Sequence, residues 1–315
     1  MTSISSNPPA VVLLGTTASG KSELALSLAK KRGDVEIVSA DSMCVYRGMD
    51  IATAKPSMGD RSDVRHHMVD TVDPCEDYSV ARYQEDAFEA IRDVTARGRV
   101  PLVVGGTGLY YRALVDSLEV PGVWPEIRRA LEAIAARPGG LKEIHAMLVA
   151  LDPLAASRVE GANQRRVVRA LEVTLGSGRR FSSFGPGLEH YPSTPHHLIG
   201  ISFDAAQVDL RIQERFSSWM ESGLLDEVAS LLKSPNGVSR TARQALGYRE
   251  IIEHLEESTP LATAVETAIR RTRALARRQW KWFRRDPRIQ WTPGGPPTEA
   301  ALNTALDRLL VVRSR

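Results

Sequence analysis

The segment Gly15-Thr16-Thr17-Ala18-Ser19-Gly20-Lys21-Ser22 constrains this chain more than any other, because it fits G-x-x-x-x-G-K-[ST] and sits between an apolar run and a helical pattern. The run is Val11, Val12, Leu13 and Leu14, a continuous stretch suited to a strand buried on both faces of a parallel sheet. Beyond the turn, residues 22–31 place Leu24, Ala25 and Leu28 on one side of a helix. Strand, glycine-rich turn and helix, in that order, are what a phosphate-binding P-loop requires. The glycines let backbone N–H groups turn inward around an anion, and the helix N-terminus adds partial positive charge toward it. Gly15, Thr17, Ala18, Ser19 and Gly20 form the cradle, Lys21 brings a mobile full charge, and Ser22 offers a hydroxyl to Mg²⁺. A chance match in an ordinary Gly/Ser turn would lack the flanking strand and helix. The ligand stays open at this point, since ATP, GTP and an organic diphosphate all carry two linked phosphates. No Walker B strand and no G-protein base-recognition motif is visible, so the loop speaks only for phosphate chemistry.

A second strand, Val35–Ala40, leads directly into Asp41. A helix over about residues 81–97 precedes a third strand, 100–104, which ends in Gly105-Gly106. This alternation predicts an α/β, doubly wound parallel core. From 121 to 191 the pattern changes to helices without strands, at 125–137, 141–151 and 163–176, parted by Pro138-Gly139-Gly140 and Asp152-Pro153. A strand returns at 197–202. The expected organisation is therefore a core of residues 1–120 and 196–315 interrupted by a helical insertion domain, 121–195. Further helices are expected near 206–222, 225–233, 241–257 and 260–285, the last with Thr259 as N-cap and Pro260 at its first position. A final strand at 288–291 and an amphipathic helix at 298–312 complete the reading. No internal repeat or low-complexity tract is present.

Asp41 follows its strand at the carboxyl end, the edge where ligands bind in open α/β sheets. A carboxylate there can take a proton from a nucleophile or sit near Mg²⁺; standing alone, it would read as an Asx-turn or N-cap aspartate. Gly105-Gly106-Thr107-Gly108 ends the third strand in the same manner, with the Thr107 hydroxyl toward the cleft. A plain strand-to-helix turn explains those glycines equally well, but not three such turns carrying polar groups at one sheet edge. His66 and His67 are adjacent and would point to opposite sides of a strand, so structural or loop roles are expected of them rather than a shared metal.

Charge and composition narrow the class. Net charge is +3 over 315 residues, with 43% hydrophobic and 25% charged residues, ordinary for a globular chain. No apolar run approaches the roughly 20 residues needed to cross a bilayer. Residues 1–10 lack the basic and apolar regions of a signal peptide and read as a short disordered leader. Cys44 and Cys75 fit neither a disulfide framework nor a metal site; free thiols in a reducing cytoplasm are expected. The distribution of charge says more than its sum. Arg270, Arg271, Arg273, Arg277, Arg278, Lys281, Arg284, Arg285 and Arg288 are opposed only by Asp286, and a second cluster holds Arg165, Arg166, Arg169, Arg179 and Arg180. A basic run is often no more than a solvated helix face. Trp280, Trp282 and Phe283 interleave the first run, which favours an RNA partner.

In order and spacing, GTTASGKS, DSMCVYRGMDIATAKP, RHHMVDTVDPCEDYSVARY, VGGTGLYYRAL, RRVVRALEV, RQALGYRE and RTRALARRQWKWFRRD resemble the tRNA dimethylallyltransferase (tRNA isopentenyltransferase) family. A P-loop alone is a weak signal, but these blocks span nearly the whole chain. The resemblance implies a P-loop kinase-like core with a helical insertion. It implies that the loop holds the diphosphate of dimethylallyl diphosphate with Mg²⁺, rather than a nucleoside triphosphate. By position, Asp41 matches the family's general base and Thr107 its cleft threonine. Asp41, Ser42, Met43, Cys44, Thr107, Arg128, Arg165, Arg166, Arg169, Arg243, Gly247, Tyr248 and Arg249 match positions that contact tRNA. Two departures stand out. Thr16 replaces the family's usual proline, where only backbone shape is asked, and Cys44 stands where glutamine is frequent. A cysteine cannot make a glutamine's paired hydrogen bonds.

These matches imply alkyl transfer to N6 of the adenosine immediately 3′ of the anticodon, extruded from its loop. Lys21, the loop N–H groups and Mg²⁺ would stabilise the departing diphosphate, and Arg211 and Arg215, one helical turn apart, can add charge there. A monomer without membrane attachment is expected. Rival readings are an adenylate isopentenyltransferase acting on a free nucleotide, a small-molecule kinase using ATP, and a non-catalytic RNA-binding module. The arginine-rich helix and the insertion favour RNA over a mononucleotide. A kinase leaves the DSMCVYRGMD and GYRE blocks without a task, and a binding module needs no P-loop.

Overall fold

A computed structural model describes residues 7–313, with side chains through residue 311. In chain order the elements are β1 (Val11–Leu14), α1 (Lys21–Arg32), β2 (Val35–Ala40), α2 (Met58–Asp63), β3 (His66–His67), α3 (Val80–Ala96), β4 (Val100–Gly105) and α4 (Gly108–Val115). Then follow α5 (Pro125–Ala135), α6 (Gly140–Leu151), α7 (Pro153–Arg158) and α8 (Gln164–Ser177). The chain ends with β5 (His197–Ile201), α9 (Ala205–Glu221), α10 (Leu224–Leu232), α11 (Tyr248–Glu257), α12 (Leu261–Phe283), β6 (Gln290–Thr292) and α13 (Gly295–Arg313).

The strands form one parallel six-stranded sheet in the order β3-β2-β4-β1-β5-β6. Every residue of β1, β2 and β4 is buried, as continuous apolar runs demand when helices cover both faces. Alternate side chains feed opposite cores. Val12, Leu14, Val38 and Val103 pack with Tyr83 and Ile91 of α3, Tyr111 of α4 and Phe283 of α12. Val11, Leu13, Ile37, Leu102 and Val104 meet Ala25, Leu28 and Ala29 of α1 and Leu302, Leu306 and Leu309 of α13. Truncating one of these leucines or isoleucines to alanine costs about 2–5 kcal/mol.

The chain divides into two compact units, one running to Val115 and resuming at Ser193, the other Asp116–Pro192. The second unit holds α5 to α8 around Leu131, Ile144, Leu148, Val167 and Leu171. Glu172 is fully buried there, clasped by Arg128 (2.7 Å), Arg169 (3.0 Å) and the Trp124 N–H (2.8 Å).

Several expectations need correction. The stretch 241–257 is not one helix. A 3₁₀ turn, Ala242–Gln244, is followed by Gly247 at φ +91°, and α11 begins only at Tyr248. A Cβ on Gly247 would lie 2.9 Å from the Ala52 Cβ, so the break also admits a neighbouring loop. Pro260 is itself the N-cap of α12, extended at ψ 135°, because its ring excludes the preceding residue from a helix; Thr259 lies one residue outside, its carbonyl bonded by the His254 ring. The last strand starts at Gln290 rather than 288. Of the expected leader, residues 1–6 lie outside the described residues, while Ala10 is already buried with its N–H on His196 Nδ1 (3.1 Å). His67 bonds Glu36 (2.7 Å) and His66 the Val64 carbonyl (2.7 Å), both structural links.

Candidate active site

Parallel pairing sets the carboxyl ends of β2, β4 and β1 side by side, with Ala40 opposite Gly105 and Gly105 opposite Leu14. The three turns that follow these strands therefore share one edge. Gly105 is required by the sheet itself: a Cβ there would fall 2.3 Å from the Ala40 carbonyl oxygen.

After β1, Ala18 (φ +59°) and Gly20 (φ +85°) take left-handed conformations that turn successive N–H groups inward. Gly20 is the N-cap of α1 and supplies no side-chain acceptor, so the first-turn N–H groups stay open to an anion. The hydroxyls of Thr16 and Ser19 are buried without a hydrogen-bond partner among the described residues. Lys21 Nζ rests on the Thr16 carbonyl at 3.1 Å. Burial lowers its pKa to about 8; Arg215 pushes the same way, and Asp41 opposes. Ala18 packs on Val208, Ile212 and Phe216 of α9. That seats Arg211 against the loop, with Nη1 3.4 Å from the Ala18 carbonyl. Burial lowers the pKa of Arg215 and the neighbouring Arg211 lowers it further, while Glu23 opposes.

After β2, Asp41 does form an Asx-turn, its Oδ1 accepting the Met43 N–H at 2.8 Å. The turn leaves Oδ2 without a hydrogen-bond partner among the described residues, so the structural and the chemical reading of this acid are compatible. After β4, Thr107 Oγ1 accepts the Ser42 N–H (3.2 Å) and its own N–H donates to Ala40 O (3.3 Å). Ser42 is half-buried, Met43 packs on the core, and Cys44 is buried with its thiol toward Thr53 O at 3.6 Å. Burial pushes that thiol's pKa far up, so it stays protonated and inert.

Sequence reasoning missed Gln279 and the structural role of Trp282, three residues apart on α12. Gln279 Oε1 accepts the Thr17 N–H (2.8 Å) while its Nε2 donates to Gly106 O (2.8 Å). A Cβ on Gly106 would lie 2.8 Å from Gln279 Nε2, and one on Gly108 2.6 Å from Trp282 Nε1. These glycines admit a helix. The other interleaved aromatics are likewise occupied internally: Trp280 meets Trp291 (4.8 Å) and Phe203 (5.9 Å), and Phe283 is buried against Tyr111 (5.6 Å). The signal for RNA on α12 is its cations. Arg270, Arg278, Lys281 and Arg284 are exposed and make no ion pair among the described residues, whereas Arg271 and Arg277 are held by Glu250 and Asp209.

The remaining candidates separate by environment. Arg165 and Arg166 are exposed on α8. Arg128 and Arg169 are bound to Glu172. Arg243 pairs with Glu256, and Arg249 is exposed beside Glu253 (2.8 Å). The Tyr248 side chain is only 1% exposed, its hydroxyl donated to Glu227, so the ring supports the Gly247 turn instead of facing solvent. Glu227 also accepts the Asp50 and Ile51 N–H groups (3.1 and 3.3 Å), fastening the loop after Cys44.

Among the described residues no three His, Cys, Asp or Glu side chains gather as a metal cage. The donors at this edge, the exposed Ser22 hydroxyl and the Asp41 carboxylate, are hard oxygens that suit Mg²⁺, which usually binds through few protein ligands plus phosphates and water. Among the described residues no helix is long and apolar enough to cross a membrane.

Comparison with known proteins finds relatives that align with nearly the whole chain. Residues 44–286 match the family model described as IPP transferase. A tRNA dimethylallyltransferase of Desulforudis audaxviator is 43% identical over 294 residues, covering 92% of this chain and 94% of the relative. One from Acidothermus cellulolyticus is 44% identical over 303 residues, covering 95% and 92%. Among solved structures, the full-length tRNA isopentenylpyrophosphate transferase of Bacillus halodurans superposes with a TM-score of 0.68 at 32% identity, covering 98% and 99%. A eukaryotic dimethylallyltransferase acting on tRNA gives a TM-score of 0.74 at 26% identity, covering 98% of this chain and 78% of that one.

Proposed function

The chain belongs to the IPP transferase family and prenylates tRNA, and we propose that it does so at the shared edge of β1, β2 and β4. It transfers the dimethylallyl group of dimethylallyl diphosphate to N6 of the adenosine immediately 3′ of the anticodon and releases diphosphate. N6 is a poor nucleophile because its lone pair is delocalised into the ring, so the departing diphosphate has to be well stabilised. The open N–H groups of the loop, Lys21, Arg211 and Arg215 hold the negative charge that grows as the allylic C–O bond breaks. The new C–N6 bond forms as Asp41 Oδ2 takes the N6 proton. Thr107 keeps that carboxylate's turn in place through Ser42. Ser22 would hold Mg²⁺, which would supply further charge neutralisation to the leaving group. Arg249 and the free cations of α12 contact tRNA phosphates from the core, and Arg165 and Arg166 are the exposed cations that the insertion offers to RNA.

The observation that carries this assignment is the pairing of an uncapped anion nest with an aspartate whose Oδ1 is tied and whose Oδ2 is open. Two unbridged thiols, Cys44 and Cys75, support a reducing cytoplasm, and no feature of the site asks for a second copy of the chain, so a cytoplasmic monomer is the proposed state. The deciding assay supplies labelled dimethylallyl diphosphate with either tRNA or AMP. Label in tRNA is expected; label in AMP alone would move the chain to the adenylate isopentenyltransferases.

A further inference from the structure

The helix that presents cations to RNA is wired to the loop that holds the diphosphate. We propose that Gln279 is a positioning residue that couples tRNA binding to the setting of the diphosphate cradle. The inference rests on the functional reading above and deepens it.

Among the described residues, Gln279 is the one side chain that touches both glycine turns with both ends of its amide. Its Oε1 holds the Thr17 N–H and its Nε2 holds Gly106 O, each at 2.8 Å. The two bonds use donor and acceptor in opposite senses, so only an amide of this length satisfies both turns. Thr17 lies immediately before the left-handed Ala18, the residue that starts the inward turn of the N–H groups. Gly106 lies immediately before Thr107, whose hydroxyl fixes the turn of Asp41. One amide therefore sets the spacing between the leaving-group side and the proton-accepting side of the site. On the neighbouring face of the same helix turn stand Arg278 and Lys281, exposed and free of ion pairs among the described residues. Trp282 anchors that turn on Gly108. Phosphates that draw on Arg278 and Lys281 act on a rigid helix segment, and its only polar attachment to the two turns is Gln279 among the described residues. By linkage, whatever tRNA does to the cradle, the diphosphate does in equal measure to tRNA affinity.

The test titrates inorganic diphosphate with Mg²⁺ into the full chain by calorimetry, alone and with saturating tRNA anticodon stem-loop. In the wild type, tRNA is expected to tighten diphosphate binding about tenfold. Gln279→Leu is expected to reduce that factor to about one, while tRNA affinity without diphosphate changes less than about twofold. A merely structural role would weaken both ligands together and leave the ratio intact. Gln279→Glu keeps the acceptor for Thr17 N–H and faces Gly106 O with a second oxygen, so it too should lose the factor; it decides the matter alone if the leucine variant does not fold. A folded variant with the wild-type factor overturns the proposal. So does a wild type that transfers prenyl groups yet binds diphosphate equally with and without tRNA. A wild type that neither transfers nor binds diphosphate overturns the functional reading, and the coupling with it.

Discussion

The Thr107 hydroxyl accepts the backbone N–H of Ser42 at 3.2 Å, so the turn after β4 holds the turn after β2 directly beside the acid. Thr107→Val keeps the shape and removes the acceptor. The stranded Ser42 N–H costs about 1–3 kcal/mol locally, and the Asp41 turn loosens. Single-turnover prenylation should slow by about 10²-fold, the scale of an ångström-sized misplacement, and Thr107→Ser should restore most of the rate. Equal rates for the valine and serine variants would remove Thr107 from the positioning scheme.

Asp41→Asn retains an oxygen for the Met43 N–H and removes the proton acceptor. Turnover should fall by about 10²–10⁴-fold, the usual worth of a general base, with tRNA affinity nearly unchanged in a filter-binding assay. Near-normal turnover would take the base assignment away from Asp41.

Lys21 carries a pKa lowered to about 8 in the unliganded loop, and a bound diphosphate favours its charged form. The charge is present below that pH and is lost as pH rises through it. Affinity for inorganic diphosphate should therefore be level below about pH 8 and weaken toward tenfold per pH unit above it. Calorimetry from neutral to alkaline pH reads the inflection. Lys21→Arg, always charged, should abolish it.

Exposed cations on α12 predict salt-sensitive binding of tRNA. Replacing Arg278 or Lys281 by alanine should reduce the slope of log K against log salt by about one unit each. The same change at Arg271 should act on stability instead, because Glu250, fully buried, is its partner at 2.6 Å. A salt slope that neither surface variant alters would place the RNA elsewhere.

Glu172→Gln keeps the bond from the Trp124 N–H and discharges the clasp on Arg128 and Arg169. Both arginines keep some access to water, at 35% and 26% exposure, so the cost is about 1–3 kcal/mol, less than for a sealed pair. Thermal unfolding of the variant should show this loss while diphosphate affinity stays unchanged.

Much of the sheet was legible because its signals are local. Val11–Leu14 and Val35–Ala40 are apolar runs bounded by glycine or aspartate, and they become strands with those bounds. The positions of Asp41 and of the glycine-rich turn were legible for the same reason, each lying just past a strand. Gly247 was not recognised as a helix break, since a lone glycine in a helical pattern is ambiguous until a neighbour such as Ala52 needs its space. Tyr248 and Arg128 look like surface contacts in the sequence, and only packing reveals that Glu227 and Glu172 engage them. Gln279 was invisible: a glutamine among arginines carries no periodic signal, and its partners Thr17 and Gly106 stand 262 and 173 positions away.

The same separation has a consequence for biosynthesis. β1 leads into the glycine-rich loop, but its neighbour β5 and the amide of Gln279 are translated well after it. A nascent chain on the ribosome can thus extrude the whole P-loop motif long before it can assemble the reactive edge. A message cut short ahead of that glutamine yields a chain that carries the motif but lacks the amide joining the Thr17 and Gly106 turns.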